Sequence, residues 1–139
     1  MLLVHPGGPF WKNKDTGAWS IPKGEYESGA DPQAAAFREF EEETGFRLDA
    51  AAAIPLGDVK QAGGKTVTAW ALEKDLDATL IQSNTFELEW PPKSGRVQQF
   101  PEVDHAEWFD LVAARAKLLA GQIEFLARLA EKSGETWPG

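Results

Sequence analysis

The spacing of apolar and polar positions predicts several short strands in this chain. Residues 2–5 form a short apolar run that ends at a Pro/Gly turn, which predicts a buried strand, and residues 18–21 predict another brief strand. Residues 54–61 and 66–73 flank the sequence Ala62-Gly63-Gly64-Lys65. Paired glycines suit the tight turns that need positive φ, so these two segments are predicted to form a β-hairpin.

The second half of the chain is predicted to alternate between strands and loops before it becomes helical. Residues 85–90 and 106–109 have strand patterns, whereas residues 74–84 and 91–101 are predicted to be loops. Two helices follow, the first from Asp110 to Leu118, and Gly121 ends it. The second covers residues 122–132, and its apolar positions form one packing stripe. The predicted stripe consists of Ile123, Leu126, Leu129 and Ala130.

A further helix is predicted over residues 32–44, where the boundary signals are clear. Asp31 is suited to the N-cap, and Pro32 fits the first helical position. Gly45 follows the last periodic residue, where a left-handed glycine commonly ends a helix. One face of this helix is apolar and is predicted to pack on a sheet. Its residues are Ala35, Ala36, Phe37 and Phe40.

The same helix concentrates negative charge on another face. Glu39, Glu42 and Glu43 are separated by three and four residues, so their side chains can converge. Like charges at this spacing repel by a few tenths of a kcal/mol per pair. Mg²⁺ reverses that repulsion because carboxylate oxygens are ligands it prefers. Arg38, four residues before Glu42, can brace that carboxylate. The structural alternative is a solvated acidic helix.

The residues around this helix resemble the signature of the Nudix hydrolases. That signature is Gly, five residues, Glu, seven residues, and then Arg-Glu-U-x-Glu-Glu-x-Gly-U, where U is a bulky apolar residue. Here Gly24 takes the first position, and Arg38-Glu39-Phe40-Glu41-Glu42-Glu43-Thr44-Gly45-Phe46 matches the second block. Ala30 stands where the family has its first Glu. Since that Glu mainly holds the arginine in the family, Arg38 is expected to be less well braced.

The resemblance implies a fold and a metal site. The fold is an α/β protein, the Nudix-type α/β/α sandwich with a mixed β-sheet, in which the family's N-terminal strand is missing or shortened here. The expected cofactor is Mg²⁺ or Mn²⁺, held by Glu39, Glu42, Glu43 and the backbone carbonyl of Gly24. Arg38 orients the helix carboxylates.

The resemblance also implies a general base, and here several carboxylates compete. Either a helix carboxylate or a further acidic residue before the final strand takes the proton from water. Many Nudix enzymes place such a residue shortly before a Trp-bearing strand, and Glu102 precedes Trp108 by six positions. Glu102 is therefore the first choice outside the helix, followed by Glu89 and Glu87. The expected catalytic residues are Glu42, Glu39, Glu102 and Arg38.

Substrate contacts are predicted from basic and aromatic residues in the loops. Lys23 adjoins the signature, and Lys93 and Arg96 lie in a Pro/Gly-rich loop, where they can contact phosphate or be ordinary solvated side chains. Trp19 is either a core residue, which its position in a short strand favours, or a wall of the substrate pocket.

Composition narrows the class of protein. The 139 residues have a net charge of -8 and suit one domain, residues 1–139, with a loose tail at 133–139. Negative charge argues against a nucleic-acid or membrane-surface binder. The chain has no cysteine, so disulfides, thiolate metal sites and cysteine nucleophiles are excluded. No segment has the pattern of a signal peptide or a membrane span, so a cytoplasmic location is expected.

The leading functional hypothesis is a metal-dependent Nudix hydrolase that cleaves a phosphoanhydride bond in a nucleotide derivative. Nucleoside triphosphates and dinucleoside polyphosphates are the expected substrates. One alternative is a pyrophosphatase of ADP-ribose or nucleotide sugars, and another is a non-catalytic nucleotide-binding Nudix module. An exposed strand edge would also suit a homodimer.

Overall fold

The computed structural model describes residues 1–22, 31–60 and 64–134. The predictions for Lys23, Gly24 and Ala30, for the first part of the hairpin turn and for residues 135–139 lie outside these ranges. Nine helices and strands are found within them: β1 (Leu2–Pro6), α1 (Pro32–Thr44), β2 (Ile54–Lys60), β3 (Thr66–Ala71), β4 (Thr85–Glu89), β5 (Val97–Pro101), β6 (Val103–Trp108), α2 (Leu111–Lys117) and α3 (Glu124–Ser133).

The six strands form three antiparallel pairs: β1 with β6, β2 with β3, and β4 with β5. In the first pair Val4 is opposite Ala106, and both are buried. The second pair is the hairpin predicted around residues 62–65. Its inward residues Val59 and Val67 are also opposite each other. Among the described residues, parallel pairing is limited to the bridge between Trp19 and Leu118.

Two of the predictions about strands and loops are corrected by the structure. Residues 18–21 do not form a strand of their own, because Ser20 pairs only with Val4 while Trp19 pairs with the end of α2. Residues 91–101 are not all loop, because Val97–Pro101 pairs with β4 as β5. The Pro/Gly composition of residues 91–96 had indicated a loop, and the loop ends at Val97.

Helices α1 and α3 pack against strands, which is the predicted α/β arrangement. Helix α1 contacts β3 and β6, α3 contacts β2, and α2 contacts α3. Helix α3 supplies much of the core through Phe125, Leu126 and Ala130, all buried. Leu126 and Ala130 confirm the predicted stripe, but Phe125 was missed because it lies beside the i, i+3, i+4 pattern that defined it.

A buried glutamine connects the segment before α1 to the region before α3. Gln122 is fully buried, and its side-chain oxygen accepts a 3.0 Å hydrogen bond from the backbone of Ile21. Its side-chain nitrogen lies 3.2 Å from the hydroxyl of Ser20. A buried amide needs such partners, and these bonds hold Ser20 and Ile21 against the region before α3. In the part of the chain that the structure describes, no helix is long and apolar enough to cross a bilayer.

Candidate active site

Helix α1 begins and ends at the residues that its sequence signals predict. The side chain of Asp31 accepts a 3.1 Å hydrogen bond from the backbone N–H of Gln33. At the other end Gly45 has φ of 80° and donates a 2.7 Å backbone hydrogen bond to Glu41. Both helix ends are therefore satisfied, and the register that places the glutamates on one side of α1 is fixed.

Arg38 lies between the carboxylates of Glu39 and Glu42. Its Nη2 is 3.5 Å from Glu39 Oε1, and its Nε is 3.9 Å from Glu42 Oε1. The predicted contact between Arg38 and Glu42 is thus present, although both distances are long for a charge-assisted hydrogen bond. One cation compensates two neighbouring anions here, which leaves a net negative charge on this side of α1.

The pKa of Glu39 reflects first its burial and then that excess of negative charge. Burial, followed by the nearby charge of Glu42, raises the pKa of Glu39 above its ordinary value, and a hydrogen bond between the two carboxyl groups acts in the same direction. The hydrogen bond from Arg38 lowers it. Two carboxyl groups that both lie near Arg38, and whose ionised forms repel, fit the needs of a hard divalent cation.

Glu43 is the third glutamate of this face, four residues after Glu39 and half-buried. Within residues 1–22, 31–60 and 64–134, no three Asp, Glu or His side chains are grouped closely enough to hold a metal ion. Among the described residues the structure therefore brings Glu39 and Glu42 together, and the predicted ligand Gly24 lies outside the described ranges.

Glu102 is connected to the end of α1 through one intervening residue. The backbone N–H of Glu102 donates a 2.8 Å hydrogen bond to the carbonyl of Asn84, and the N–H of Asn84 donates a 2.8 Å bond to the carbonyl of Glu42. On its other side, the carbonyl of Glu102 accepts a bond from Gly7. These backbone bonds hold Glu102, which lies between β5 and β6, next to the last turn of α1.

A cavity of about 730 Å³ lies between α1 and β3. The face of α1 that was expected to pack on a sheet contributes Ala36, Phe37 and Phe40 to this cavity, whose other side is lined by β3, and Ala35 is the buried member of the set. Among the described lining residues, Lys65 and Lys74 have charged side chains. The volume is typical of a small-molecule site, and the lining is mostly apolar with a few polar groups. Its aromatic members are Phe37, Phe40, Trp70, Trp108 and Phe125.

Two predicted phosphate contacts, Lys93 and Arg96, lie in the turn between β4 and β5. The five residues of β4 separate this turn from Asn84. At about 3.4 Å per residue, that separation is about 17 Å. These two cations are therefore remote from Glu42. Glu87 and Glu89, the alternatives to Glu102, are exposed residues of β4.

Trp19 belongs to the core, which is the alternative that its sequence position favoured. It is only 6% exposed and packs edge-on against His5 and Phe109 with ring centroids 5.2 Å apart in each case. Its indole N–H donates a 2.8 Å hydrogen bond to Asp15. A ring held by these contacts is not available to stack on a substrate.

The sequence reading missed Asn84, Lys65 and Lys74. Asn84 acts through its backbone, so its side-chain type gave no signal. The two lysines flank β3, and no periodicity distinguishes a lysine beside a cavity from a solvated one. Only the pairing of β3 with β2 and its contact with α1 place them at the cavity.

Comparisons with known proteins agree with this architecture. The family model described as NUDIX domain matches residues 1–129. An octanoyltransferase of Myxococcus xanthus is 35% identical over 102 residues, which is 73% of this chain and 25% of that protein. The chain therefore spans about a quarter of the length of this curated relative.

A solved structure has a similar fold. The crystal structure of a C. elegans Ap4A hydrolase binary complex superposes with a TM-score of 0.55 and 23% sequence identity. The match covers 96% of this chain and 85% of that one. At this identity the likeness concerns the fold, and with the family match it confirms the predicted Nudix-type α/β fold.

Proposed function

This chain belongs to the NUDIX family, a family of hydrolases of pyrophosphate bonds, and we propose that it is a divalent-metal-dependent hydrolase that cleaves a phosphoanhydride bond in a nucleotide derivative. Dinucleoside polyphosphates and nucleoside triphosphates are the proposed substrates. The observation that supports this most strongly is the Glu39–Glu42 carboxyl pair, with Arg38 beside both and Glu102 connected to the same helix turn.

The charge on this face of α1 supports a role for the three glutamates as metal ligands. Repulsion between Glu39 and Glu42 is unfavourable for the helix alone, and a cation between them relieves it. Glu43, one turn after Glu39 on α1, is the third proposed ligand. A bound Mg²⁺ or Mn²⁺ would supply charge neutralisation at phosphate oxygens and a water of lowered pKa. Gly24 stays a proposed backbone ligand from the family pattern.

The chain's own groups position and deprotonate the attacking water in this proposal. Water attacks phosphorus, the bond from phosphorus to the bridging oxygen breaks, and the departing phosphate takes that electron pair. Glu102 accepts the water's proton, because it is held beside α1 and is not part of the carboxyl pair that Arg38 compensates. Arg38 acts as a positioning residue for the helix carboxylates.

The cavity between α1 and β3 is the proposed site for the nucleoside. Its lining residues Phe37 and Phe40 are on α1, the helix that also bears Glu39 and Glu42. A nucleobase is flat and apolar on its faces, so an aromatic-rich cavity suits it. Lys65 and Lys74 are suited to bind the phosphates attached to that nucleoside. Lys23, from the sequence prediction, is a further proposed phosphate contact.

Octanoyl transfer is not carried over from the Myxococcus xanthus relative. The chain matches a quarter of that protein, and the NUDIX range covers most of the matched residues. The non-catalytic nucleotide-binding module stays the second candidate, because the cavity between α1 and β3 would bind a nucleoside whether or not the carboxylates act in turnover.

The proposal is tested by incubating the full chain with dinucleoside polyphosphates, nucleoside triphosphates and ADP-ribose, each with Mg²⁺, with Mn²⁺ and with a chelator. We expect metal-dependent cleavage of one of the first two classes. Cleavage of ADP-ribose alone would favour the nucleotide-sugar alternative. Tight binding of a nucleotide without turnover under any metal condition would contradict a hydrolase and support the binding module.

A further inference from the structure

The turn between β4 and β5 presents an aromatic ring and a guanidinium group on one face. The N–H of Trp90 donates a 2.9 Å hydrogen bond to the carbonyl of Arg96, which continues the register in which Glu89 is opposite Val97. Residues opposite each other in an antiparallel pair point to the same face. Because successive residues alternate, Glu89 points to the other face, away from Trp90 and Arg96.

A second aromatic ring joins this face from the loop after β1. Phe10 packs edge-on against Trp90, with ring centroids 5.3 Å apart and an angle of 77° between the planes. Gly8 lies so close to Phe86 of β4 that a Cβ at Gly8 would be 3.0 Å from the ring. The loop after β1 therefore runs along this face of the β4–β5 pair. Phe10 nevertheless keeps 58% of its surface exposed, which leaves a ring surface open to a ligand.

The same turn is positively charged although the protein has a net charge of -8. Lys93 and Arg96 are both exposed, and among the described residues neither is paired with a carboxylate. Lys93 also has φ of 62°, a conformation that favours glycine. A lysine at such a position places charge at the turn at some conformational cost.

We infer that the turn between β4 and β5 binds the second nucleoside of an extended dinucleoside polyphosphate and the phosphate attached to it. The residues concerned, called the hairpin-tip patch, are Phe10, Trp90, Lys93 and Arg96. This inference rests on the proposed function. Aromatic rings stack on nucleobases of any sequence, and Lys and Arg bind phosphate oxygens. The length of β4, about 17 Å, separates the patch from Asn84, the residue bonded to the end of α1. A ligand that reaches both sites must therefore be long and carry recognisable groups at both ends.

The inference is tested by equilibrium binding of a dinucleoside tetraphosphate analogue with methylene bridges, which is not hydrolysed, in the presence of Mg²⁺. A nucleoside triphosphate analogue of the same kind is measured in parallel. The variants are Phe10→Ala and the double variant Lys93→Gly with Arg96→Gln, in which glycine suits the φ of 62°. Arg115→Gln with Lys132→Gln removes two exposed helix charges and serves as the matched control.

Each patch variant is expected to weaken binding of the dinucleotide analogue by about tenfold, with no change for the triphosphate analogue or in the control. Equal losses for both analogues, or no loss for either, would overturn the inference. So would an unchanged dinucleotide affinity with weaker binding of a single-stranded oligonucleotide, which would assign the patch to nucleic acid. Binding is measured here without turnover, whereas a failure of the hydrolase proposal would be seen as absent cleavage. The two failures are therefore distinguishable.

Discussion

The backbone N–H of Asn84 donates a 2.8 Å hydrogen bond to the carbonyl of Glu42, one of the last carbonyls of α1. Two residues earlier, the N–H of Gln82 donates a bond of the same length to the carbonyl of Thr44. The last carbonyls of a helix have no partner within it. The segment before β4 supplies these partners, and through Asn84 it brings the backbone of Glu102 beside the last turn of α1.

The role of Glu102 as general base predicts a loss of turnover without a loss of binding. Glu102→Gln keeps the backbone bonds to Asn84 and Gly7, so the fold is expected to persist. General-base removal costs about 100-fold or more in kcat, while KM changes little. The control is Glu89→Gln, an exposed carboxylate of β4. Equal kcat values for the wild type and Glu102→Gln would assign the base to a helix carboxylate.

Packing at the end of α1 predicts unequal effects of two glycine substitutions. Gly45 and Gly134 have φ of 80° and 78°, so alanine at either site adopts a strained left-handed conformation at a cost of about 1 to 2 kcal/mol. Among the described residues, a Cβ at Gly45 would meet Gln82 at 3.1 Å, whereas a Cβ at Gly134 would have no neighbour within 4 Å. Chemical denaturation is expected to show a greater loss of unfolding free energy for Gly45→Ala. Equal losses would show that the segment at Gln82 shifts at no cost to make room for the Cβ at residue 45.

The N-cap of α1 gives a prediction about helix stability. Asp31→Ala removes the acceptor of the bond from Gln33 and is expected to lower the free energy of unfolding by about 1 kcal/mol. Asp31→Asn keeps a side-chain oxygen at the cap and is the matched control. Both are measured by thermal unfolding. A loss in Asp31→Asn as large as that in Asp31→Ala would show that charge, and not capping, is the source.

Asp15 predicts a pH dependence of stability. Hydrogen bonds from Lys117 and then from the indole of Trp19 lower the pKa of Asp15 below its ordinary value of 3.8. Because the pKa of Asp15 is lower in the folded protein than in the unfolded chain, its ionised carboxylate stabilises the fold above pH 3.8. This contribution is lost as the pH falls through the pKa of the folded state. The melting temperature of Asp15→Asn is expected to lie below that of the wild type at neutral pH and to converge with it in strong acid. A constant difference across pH would contradict this linkage.

The boundaries of α1 could be predicted from the sequence because each boundary signal is local. Asp31, Pro32 and Gly45 define its ends from neighbouring residues alone, and the structure agrees at each position. Likewise, the i, i+4 spacing of Arg38 and Glu42 predicts their contact without knowledge of the fold. The signature residues are therefore the part of the candidate site that sequence reasoning describes best.

Residues that depend on pairing between distant segments could not be predicted in this way. The strand β5 was expected to be loop because its neighbours are Pro and Gly, and its order comes from hydrogen bonds to β4. The distance of Lys93 and Arg96 from Glu42 follows from that pairing. Asn84 contributes only backbone atoms to its contacts with Glu42 and Glu102, so no side-chain pattern identifies it.

The most direct test of the central claim compares Glu42→Gln with Glu41→Gln. Glu42 belongs to the carboxyl pair beside Arg38, whereas Glu41 is exposed and contacts Arg47. The two substitutions remove the same charge from adjacent positions of α1. The measurement is the rate of Mg²⁺-dependent cleavage of the best nucleotide substrate, with the melting temperature as the check on folding.

We expect Glu42→Gln to retain the fold and lose about 100-fold or more of the metal-dependent rate, since it removes a ligand for the ion that stabilises the reacting phosphate. Glu41→Gln is expected to cleave at nearly the wild-type rate. A wild-type rate in folded Glu42→Gln, or an equal loss in both variants, would contradict the assignment of this face of α1 as the active site.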